Sequence, residues 1–296
     1  MAEDRPPRYP LGVIVFLPIL IACGDPTLAN APPPSAGTDA PLLGVTRVRS
    51  FHSEDLESWA ADPEPLAEHA MSLGLHDVPG GFEVTFMDLS GGERSWWSRT
   101  FGSPEIGVLR RTEAGWSRSR QPVDDPTTPA PIDPQSDGTR LWIVGRDGVV
   151  GDPASAESDN RLRAGPPWET VLRGPGLTDP MPVRFHGEEL LFLTESHQRI
   201  VLYTGTPPKR ARQWNRVTVP YARVVGDELW LLAQQPAGGS RLPVPVLARS
   251  TDGRAFTAFE PVLPAGMTRV CTSPVLGPDA ARGGWLLLCV EEQAPR

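Results

Sequence analysis

The fold is most clearly indicated by residues Gly226–Val262, GDELWLLAQQPAGGSRLPVPVLARSTDGRAFTAFEPV, whose pattern predicts three short strands in succession. Glu228–Gln234 is an apolar run, while Pro243–Arg249 and Phe256–Val262 alternate apolar and polar residues, as β-strands do. Between the last two lies Ser250-Thr251-Asp252-Gly253, a tight-turn sequence, since Asp bonds the backbone ahead and Gly accepts a positive φ. We therefore expect strands joined by short turns.

The same order of strand and turn recurs along the chain. An apolar strand follows a glycine five times, at Gly81, Gly138, Gly187, Gly226 and Gly284. An aromatic residue is expected to open the outermost strand of each unit, at Trp59, Trp116, Trp168, Trp214 and Phe256. A period of about 50 residues with four short strands is typical of a β-propeller. We predict an all-β, five-bladed β-propeller.

The two ends of the repeat region are predicted to share one blade. The last repeat supplies two inner strands, near Thr272–Leu276 and Trp285–Glu291, and Val45–Ser50 and Trp59 supply the third and fourth. Such a composite blade closes the ring and removes two sheet edges. A six-bladed ring is the alternative, if Trp96, Trp97 and Phe101 mark an extra hairpin.

Two turns share one spacing, Ser-x-Asp-x-x-x-aromatic. They are Ser53, Asp55 and Trp59, and Ser250, Asp252 and Phe256. This motif resembles the shortened Asp box of sialidase-like β-propellers. The resemblance implies that each aspartate caps a hairpin turn on the outer rim, that each aromatic residue packs between blades, and that these residues are structural rather than catalytic.

The first residues predict a lipoprotein signal. Residues 12–22 form an apolar run of 11, too short to span a bilayer and typical of a signal-peptide core. Leu20-Ile21-Ala22-Cys23-Gly24 follows and resembles the lipobox of bacterial lipoproteins, which implies cleavage before Cys23 and its lipidation. An ordinary secretion signal with an accidental cysteine is the alternative. The predicted domains are a signal peptide (1–22), a Pro-rich tether (23–41) and the propeller (42–296).

The composition of the chain limits which partners and cofactors we expect it to bind. The net charge is −8, which argues against nucleic acid and against direct binding to anionic lipid. The five histidines show no metal-ligand spacing, and we expect no metal and no cofactor. If Cys23 carries lipid, Cys271 and Cys289 are the two remaining cysteines, and both lie on neighbouring predicted strands. A disulfide between them is plausible, and two buried free thiols are the alternative.

The candidate chemistry is sparse. Sialidases use an arginine triad and a tyrosine nucleophile, whereas here Tyr203 and Tyr221 have no matching partners. Five-bladed propellers also include glycosidases, which carry carboxylates at the starts of the innermost strands. Asp77, Asp133 and Asp179 precede the predicted inner strands of three successive blades, and two of them could serve as acid and base. The competing interpretation treats all three as turn residues.

Two further patterns bear on the axis of the ring. Residues 65–73, PLAEHAMSL, predict one short helix between blades, with Pro65 in its first turn. Near the inner-strand ends lie Arg184, Arg223, Arg269 and Arg282, which would line the funnel with positive charge unless they are simply solvated.

We therefore expect a protein of the bacterial cell envelope, anchored by lipid, and in the outer membrane if the source is Gram-negative. Its propeller is expected to be a binding or scaffold module for a protein or glycan rather than an enzyme. The alternative is a glycoside hydrolase with carboxylates in the funnel. An enzyme needs two or three converging carboxylates there, whereas a binder shows aromatic, Arg and polar residues.

Overall fold

Every regular element among the described residues is a β-strand, and each sheet is antiparallel. The computed structural model describes residues 46–90, 105–125, 127–128, 132–146, 159–236, 243–264, 267 and 271–292. Within these ranges the strands form five sheets, each a blade of a five-bladed propeller. No helix in the described part of the chain is long and apolar enough to cross a membrane. The five sheets exclude the six-bladed alternative. Trp96, Trp97 and Phe101, which suggested a sixth blade, lie outside the described residues.

The blades follow one another along the chain, and each begins with its innermost strand. Blade I contains β4 (Ala70–Val78), β5 (Gly81–Asp88), β6 (Glu105–Thr112) and β7 (Gly115–Pro122). Blade II contains β8 (Ile132–Ser136), β9 (Leu141–Arg146), β10 (Asp159–Gly165) and β11 (Glu169–Pro175). Blade III contains β12 (Leu177–Phe185), β13 (Glu188–Glu195), β14 (Arg199–Thr204) and β15 (Lys209–Asn215). Blade IV contains β16 (Thr218–Val225), β17 (Glu228–Pro236), β18 (Pro243–Ser250) and β19 (Glu260–Pro261).

Blade V joins the two ends of the ring, as the sequence predicts. Its inner strands are β20 (Thr272–Pro278) and β21 (Trp285–Glu292), followed by β1 (Thr46–Ser53) and β2 (Ala60–Ala61), and β3 (Ala67–Glu68) also pairs with β1. Strand β1 pairs with β21 along its whole length, from Thr46 opposite Glu292 to Ser53 opposite Trp285. The pairing satisfies backbone groups that would otherwise form two open edges.

Covalent and ionic contacts reinforce this blade. Cys271 and Cys289 form a disulfide across the two inner strands, with their Cα atoms 5.0 Å apart. The fully buried carboxylate of Asp279 accepts from Arg111 Nη2 of blade I at 3.0 Å. Because a buried charge needs a paired partner, this bond fixes blade V against blade I.

Apolar strands next to the axis supply the core. The second strands of the blades are almost continuous apolar runs with both faces covered, as in Leu190–Leu193 and Leu286–Val290. Between blades III and IV, the Phe256 ring lies 5.3 Å from Trp214 and 6.2 Å from Phe192, edge to face with both. Such interdigitation makes each blade depend on its neighbours.

Two sequence expectations fail in detail. Residues 65–73 do not form a helix, because Ala67–Glu68 and the start of β4 pair with neighbouring strands. Trp214 lies near the end of its outer strand, β15, rather than at its opening. At residues 65–73, pairing with neighbouring strands prevails over the local helix propensity. At Trp214 the position along the strand matters little, since an aromatic ring at either end of a short strand reaches the same space between blades.

Candidate active site at the entrance of the axial funnel

The five innermost strands share one irregularity close to their starts. Each has a register shift against its neighbour, where two residues stand without a paired partner. The first of the two has a positive φ, between 48° and 54°, at Ser72, Asp133, Asp179, Val219 and Ser273. All five line one cavity of about 290 Å³. The ring of bulges therefore presents one side chain from every blade to the entrance of the funnel.

Proline follows the bulge residue in four of the five blades. The prolines are Pro134, Pro180, Pro220 and Pro274, and blade I has Leu73 instead. A proline has no N–H to donate, so it is tolerated where the bulge leaves no ladder partner. A non-glycine residue with φ near +50° is uncommon, and a β-branched residue such as Val219 is a real outlier. Outliers repeated at one level of the ring point to a functional constraint there.

Asp133 and Asp179 are the two acidic members of the ring and lie in adjacent blades. Asp133 Oδ1 accepts a hydrogen bond from the Ser72 hydroxyl at 2.6 Å. Its Oδ2 accepts one from the backbone N–H of Asp179 at 3.2 Å. Both donors complement a negative charge on Asp133. The second bond also brings the Asp133 carboxylate directly against the Asp179 residue.

Asp179 has the opposite environment. Burial, and then the nearby charge of Asp133, raise the pKa of Asp179 to about 7, against weaker opposing hydrogen bonds from Thr194 and Thr178. The Thr178 hydroxyl donates to Asp179 Oδ2 at 3.0 Å. The charge of Asp133 disfavours a second charge on Asp179, so the Asp179 carboxyl group keeps its proton up to about pH 7.

Polar residues of the other blades complete the cavity. Gln234 Nε2 donates to the Thr218 hydroxyl at 3.1 Å, and its Oε1 accepts from the Ser273 N–H at 3.3 Å. His197 approaches the rim from the turn between β13 and β14. The site thus combines a neutral carboxylic acid, a carboxylate and neutral hydrogen-bonding groups, which suits proton transfer to and from a polar, uncharged ligand.

The structure brings Asp133 and Asp179 together but separates Asp77 from them. Asp77 lies near the end of β4, at the opposite end of the funnel, and both its oxygens accept from Arg223 Nη2 at 2.7 and 2.8 Å. This corrects the predicted position of Asp77. The error came from residues 65–73, since the true inner strand begins there at Ala70 and Ser72 occupies the equivalent bulge.

Other acidic and phenolic groups near the axis are committed to structural bonds. Glu195 accepts from the Tyr203 hydroxyl at 2.6 Å and from Arg199 and Arg210 at 3.2 Å each. Burial raises the pKa of both Tyr203 and Tyr221, which makes each a poor nucleophile. Among the described residues, no group of three or more His, Cys, Asp or Glu side chains could hold a metal ion.

The two Ser-x-Asp turns lie away from this cavity and have matching bonds. Asp55 Oδ1 accepts from the N–H groups of Glu57 and Ser58, both at 2.8 Å. Asp252 Oδ1 accepts from those of Arg254 at 2.8 Å and Ala255 at 2.6 Å. In each turn the serine hydroxyl donates to the same oxygen, and these bonds lower the pKa of both aspartates. Trp59 is buried and Phe256 partly buried.

Some of the remaining residues predicted from the sequence lie in the described part of the structure, and others lie outside it. Cys271 and Cys289 form the disulfide above. Arg184 and Arg223 line a cavity at the far end of the funnel, and Arg282 pairs with Asp62 at 2.9 Å. Cys23 and Arg269 lie outside the described residues.

Sequence reasoning missed Ser72, Val219 and Ser273 as members of the ring. The signal that could have found most of them was the dipeptide X-Pro at the start of every inner strand except the first. Treated one at a time, Asp133-Pro134 and Asp179-Pro180 are ordinary turn sequences. Only their recurrence at one level of the repeat marks them as equivalent.

Solved structures share this fold at low sequence identity. An exo-β-1,3-galactanase from Phanerochaete chrysosporium with bound β-1,3-galactotriose matches with a TM-score of 0.50 and 10% identity, over 82% of this chain and 64% of the galactanase chain. The same enzyme with galactose gives a TM-score of 0.50 and 11% identity, over 76% and 60% of the two chains. A thermostable family-43 glycoside hydrolase matches with a TM-score of 0.52 and 8% identity, over 79% of this chain and 93% of the hydrolase chain.

Comparisons of sequence alone give no match. No protein-family model matches this chain, and no curated protein matches it. At about one identical residue in ten, the likeness to solved structures rests on the course of the backbone. The chain has the five-bladed propeller fold that these glycoside hydrolases have.

Proposed function

We propose that this propeller is a glycoside hydrolase whose active site is the Asp133–Asp179 pair at the funnel entrance. The observation that carries the proposal is the presence of two carboxyl groups in one axial cavity, one of which has a pKa raised to about 7. Glycoside hydrolysis needs this combination, an acid for the leaving oxygen and a carboxylate for the other face of the sugar. The fold shared with galactan-cleaving and family-43 enzymes supports it.

The roles follow from the two environments. Asp179, with its raised pKa, is the proton donor to the glycosidic oxygen. Asp133, oriented by the Ser72 hydroxyl, is the carboxylate that activates water or attacks the anomeric carbon. Ser72 is a positioning residue, because it acts through Asp133.

The test is turnover of a panel of nitrophenyl glycosides and polysaccharides that includes β-1,3-galactan. The wild-type chain should cleave at least one of them, and Asp133→Asn and Asp179→Asn should each lower kcat by at least about 100-fold. Asp77→Asn is the matched control, because that carboxylate lies at the other end of the funnel. A full panel without turnover, or equal loss in all three variants, would overturn the hydrolase proposal.

A binding module is the second candidate, and the composition of the ring favours it. Three of the five bulge residues, Ser72, Val219 and Ser273, carry no charge, and Gln234 adds a further neutral hydrogen-bonding group to the same cavity. In that case a glycan array should show binding that Asp133→Asn weakens, with no product released. Turnover distinguishes the two candidates directly.

We also propose that the protein is a lipoprotein of the cell envelope, with Cys23 as its lipidated N-terminus and residues 23–41 as the tether. The support is the apolar run and the Leu20–Gly24 sequence, both outside the described residues. Two acyl chains or more would anchor it stably. Cys23→Ser should move the protein from the membrane fraction to the soluble fraction, and retention in the membrane would contradict the anchor.

A further inference from the structure

A second and larger cavity lies at the opposite end of the funnel. It has a volume of about 510 Å³ and is formed where the inner strands of blades I to IV end, extending outward between blades II and III. Its size is that of a pocket for a small organic molecule. None of the residues of the Asp133–Asp179 site lines it.

Three arginines line this cavity, Arg140, Arg184 and Arg223, and Arg223 is the most buried of them. It is also buried more deeply than its own partner, Asp77. The Arg223 side chain is 14% exposed, whereas Asp77, whose two oxygens it binds, is 60% exposed. A buried guanidinium needs an anion, and this one is supplied from the solvent side. Asp77 therefore occupies the place of an anionic ligand.

Arg223 has capacity beyond this bond. Its Nη2 binds Asp77 and its Nη1 lies 3.5 Å from the Tyr221 hydroxyl, so part of the five-donor guanidinium has no protein acceptor among the described residues. Nearby, His76 also lines the cavity, and its buried Nδ1 has no hydrogen-bond partner among those residues. Burial lowers the pKa of His76, which keeps the ring neutral. The spare donors of Arg223 can therefore bond to a ligand oxygen, while His76 adds a neutral ring to the wall.

The wall carries further charged residues. Arg140 pairs with both Asp137 and Glu169, and Arg184 lies opposite Glu189 in the pairing of β12 with β13. Arginines other than Arg223 therefore balance these acidic side chains in part.

Apolar side chains form another part of the wall. Leu75, Met181, Val183 and Leu190 face the cavity beside the polar groups. Val224, next to Arg223, also lines it and is 40% exposed, the one large apolar side chain left exposed among the described residues. A ligand with an apolar body would cover this surface, and its release of water would favour binding.

We propose that this cavity binds a small organic carboxylate with an apolar body, whose carboxylate replaces Asp77 on Arg223. Asp77 is then a built-in competitor that any ligand must displace. The site is separate from the Asp133–Asp179 pair and does not depend on the hydrolase proposal.

The probe is 2-naphthoate, titrated calorimetrically into the full chain, with 2-naphthamide as its uncharged analogue. The wild-type chain should bind the acid at least about tenfold more tightly than the amide, since a bond to a charged group is worth more than 1.4 kcal/mol. Asp77→Asn removes the competitor and should tighten acid binding by about fivefold or more. Arg223→Gln should abolish the preference for the acid.

A matched control exists on the rim. Arg254 Nη2 binds both oxygens of Glu188 at 3.0 and 3.1 Å, the same geometry, but Arg254 is 64% exposed and lines neither cavity. Glu188→Gln should leave the affinity for 2-naphthoate unchanged, and so should Asp179→Asn. Equal binding of acid and amide, or an unchanged affinity in Asp77→Asn, would overturn the proposal. If Arg223→Gln fails to fold, the other two comparisons decide it.

Discussion

At the scale of single residues, Asp133 and Asp179 show how neighbours divide the roles of two identical side chains. Asp133 accepts hydrogen bonds from the Ser72 hydroxyl and the Asp179 N–H, which complement its charge. Burial and the charge of Asp133 raise the pKa of Asp179 to about 7. Neither environment exists without the other blade, because the two residues belong to different sheets.

The raised pKa of Asp179 predicts a pH dependence of stability. In the unfolded chain this group loses its proton above its ordinary pKa near 4, whereas the folded protein keeps the proton up to about 7. The native state then binds more protons than the unfolded state, so stability falls as pH rises through this window and remains lower above it. Asp179→Asn should remove this decline.

The measurement is Tm against pH for the wild type and Asp179→Asn, where each kcal/mol gained above neutral pH corresponds to about 2–4 °C. If the hydrolase proposal holds, wild-type activity should also fall above about pH 7 as the acid ionises. Asp252→Asn is the control, since its carboxylate is exposed and far from the ring. A decline in Tm that persists unchanged in Asp179→Asn would contradict the assignment.

At the scale of elements, the bulge at the start of each inner strand is the device that builds the site. The bulge directs into the shared cavity a side chain that regular alternation would place elsewhere. To do so, the residue must adopt a left-handed backbone conformation. For a residue other than glycine that conformation costs about 1–2 kcal/mol. Val219 has this cost with no polar side chain in return.

Val219→Gly should therefore change stability by less than about 1 kcal/mol, because relief of strain offsets the lost burial and the greater chain entropy of glycine. The control is Val201→Gly in β14, where the side chain is fully buried in a regular strand and the loss should be about 3 kcal/mol or more. Urea unfolding of both variants gives the comparison. Equal losses would mean that the backbone at Val219 is not strained.

The interblade aromatic residues predict a second ranking. Phe256→Ala should cost about 3 kcal/mol, because it empties the space against Trp214 and Phe192. Asp252→Ala should cost less, since its bonds to the turn are exposed to water. Denaturant midpoints measure both. A larger loss for Asp252→Ala would show that the turn, rather than the packing of the ring, limits stability.

At the scale of the whole molecule, closure of the ring is the central feature. Strand β1 comes from near the beginning of the chain and completes a sheet whose inner strands come from its end. The bond of Arg111 to Asp279 then ties this blade to blade I. A closed ring has no free edge between blades, so its stability belongs to all five.

Deleting residues 42–60 should lower the Tm of the entire ring, because the outer edge of β21 loses its partner strand and the buried Trp59 side chain is removed at the same time. Deletion of residues 23–41, the predicted tether, is the control and should leave Tm unchanged. Calorimetry with a single cooperative transition at the wild-type temperature after the first deletion would defeat the closure argument.

The disulfide predicts a local contribution to the same blade. It closes a loop of 18 residues, and constraining such a loop in the unfolded chain is worth about 3 kcal/mol. The double variant Cys271→Ala, Cys289→Ala should lose about that much. Wild-type protein under reducing conditions should show the same loss, whereas the double variant should not respond to the reductant.

The five-bladed architecture could be predicted from the sequence, because the repeat consists of local patterns. Glycine turns, apolar second strands and interblade aromatic residues are short-range features, and their recurrence predicted five blades and the composite fifth. Asp133 and Asp179 were candidates for the same reason, since each lies at the start of an inner strand.

Which of the acidic residues share a cavity could not be predicted from the sequence, because it depends on contacts between strands of different blades. From the sequence, Asp77 is equivalent to Asp133 and Asp179, but β4 starts at Ala70, seven residues before Asp77. Asp77 therefore lies at the far end of the funnel and binds Arg223, 146 residues away in sequence. Local propensity does not show where such a strand begins, because its start depends on pairing with other strands. The start of the strand in turn determines which of its side chains face the shared cavity.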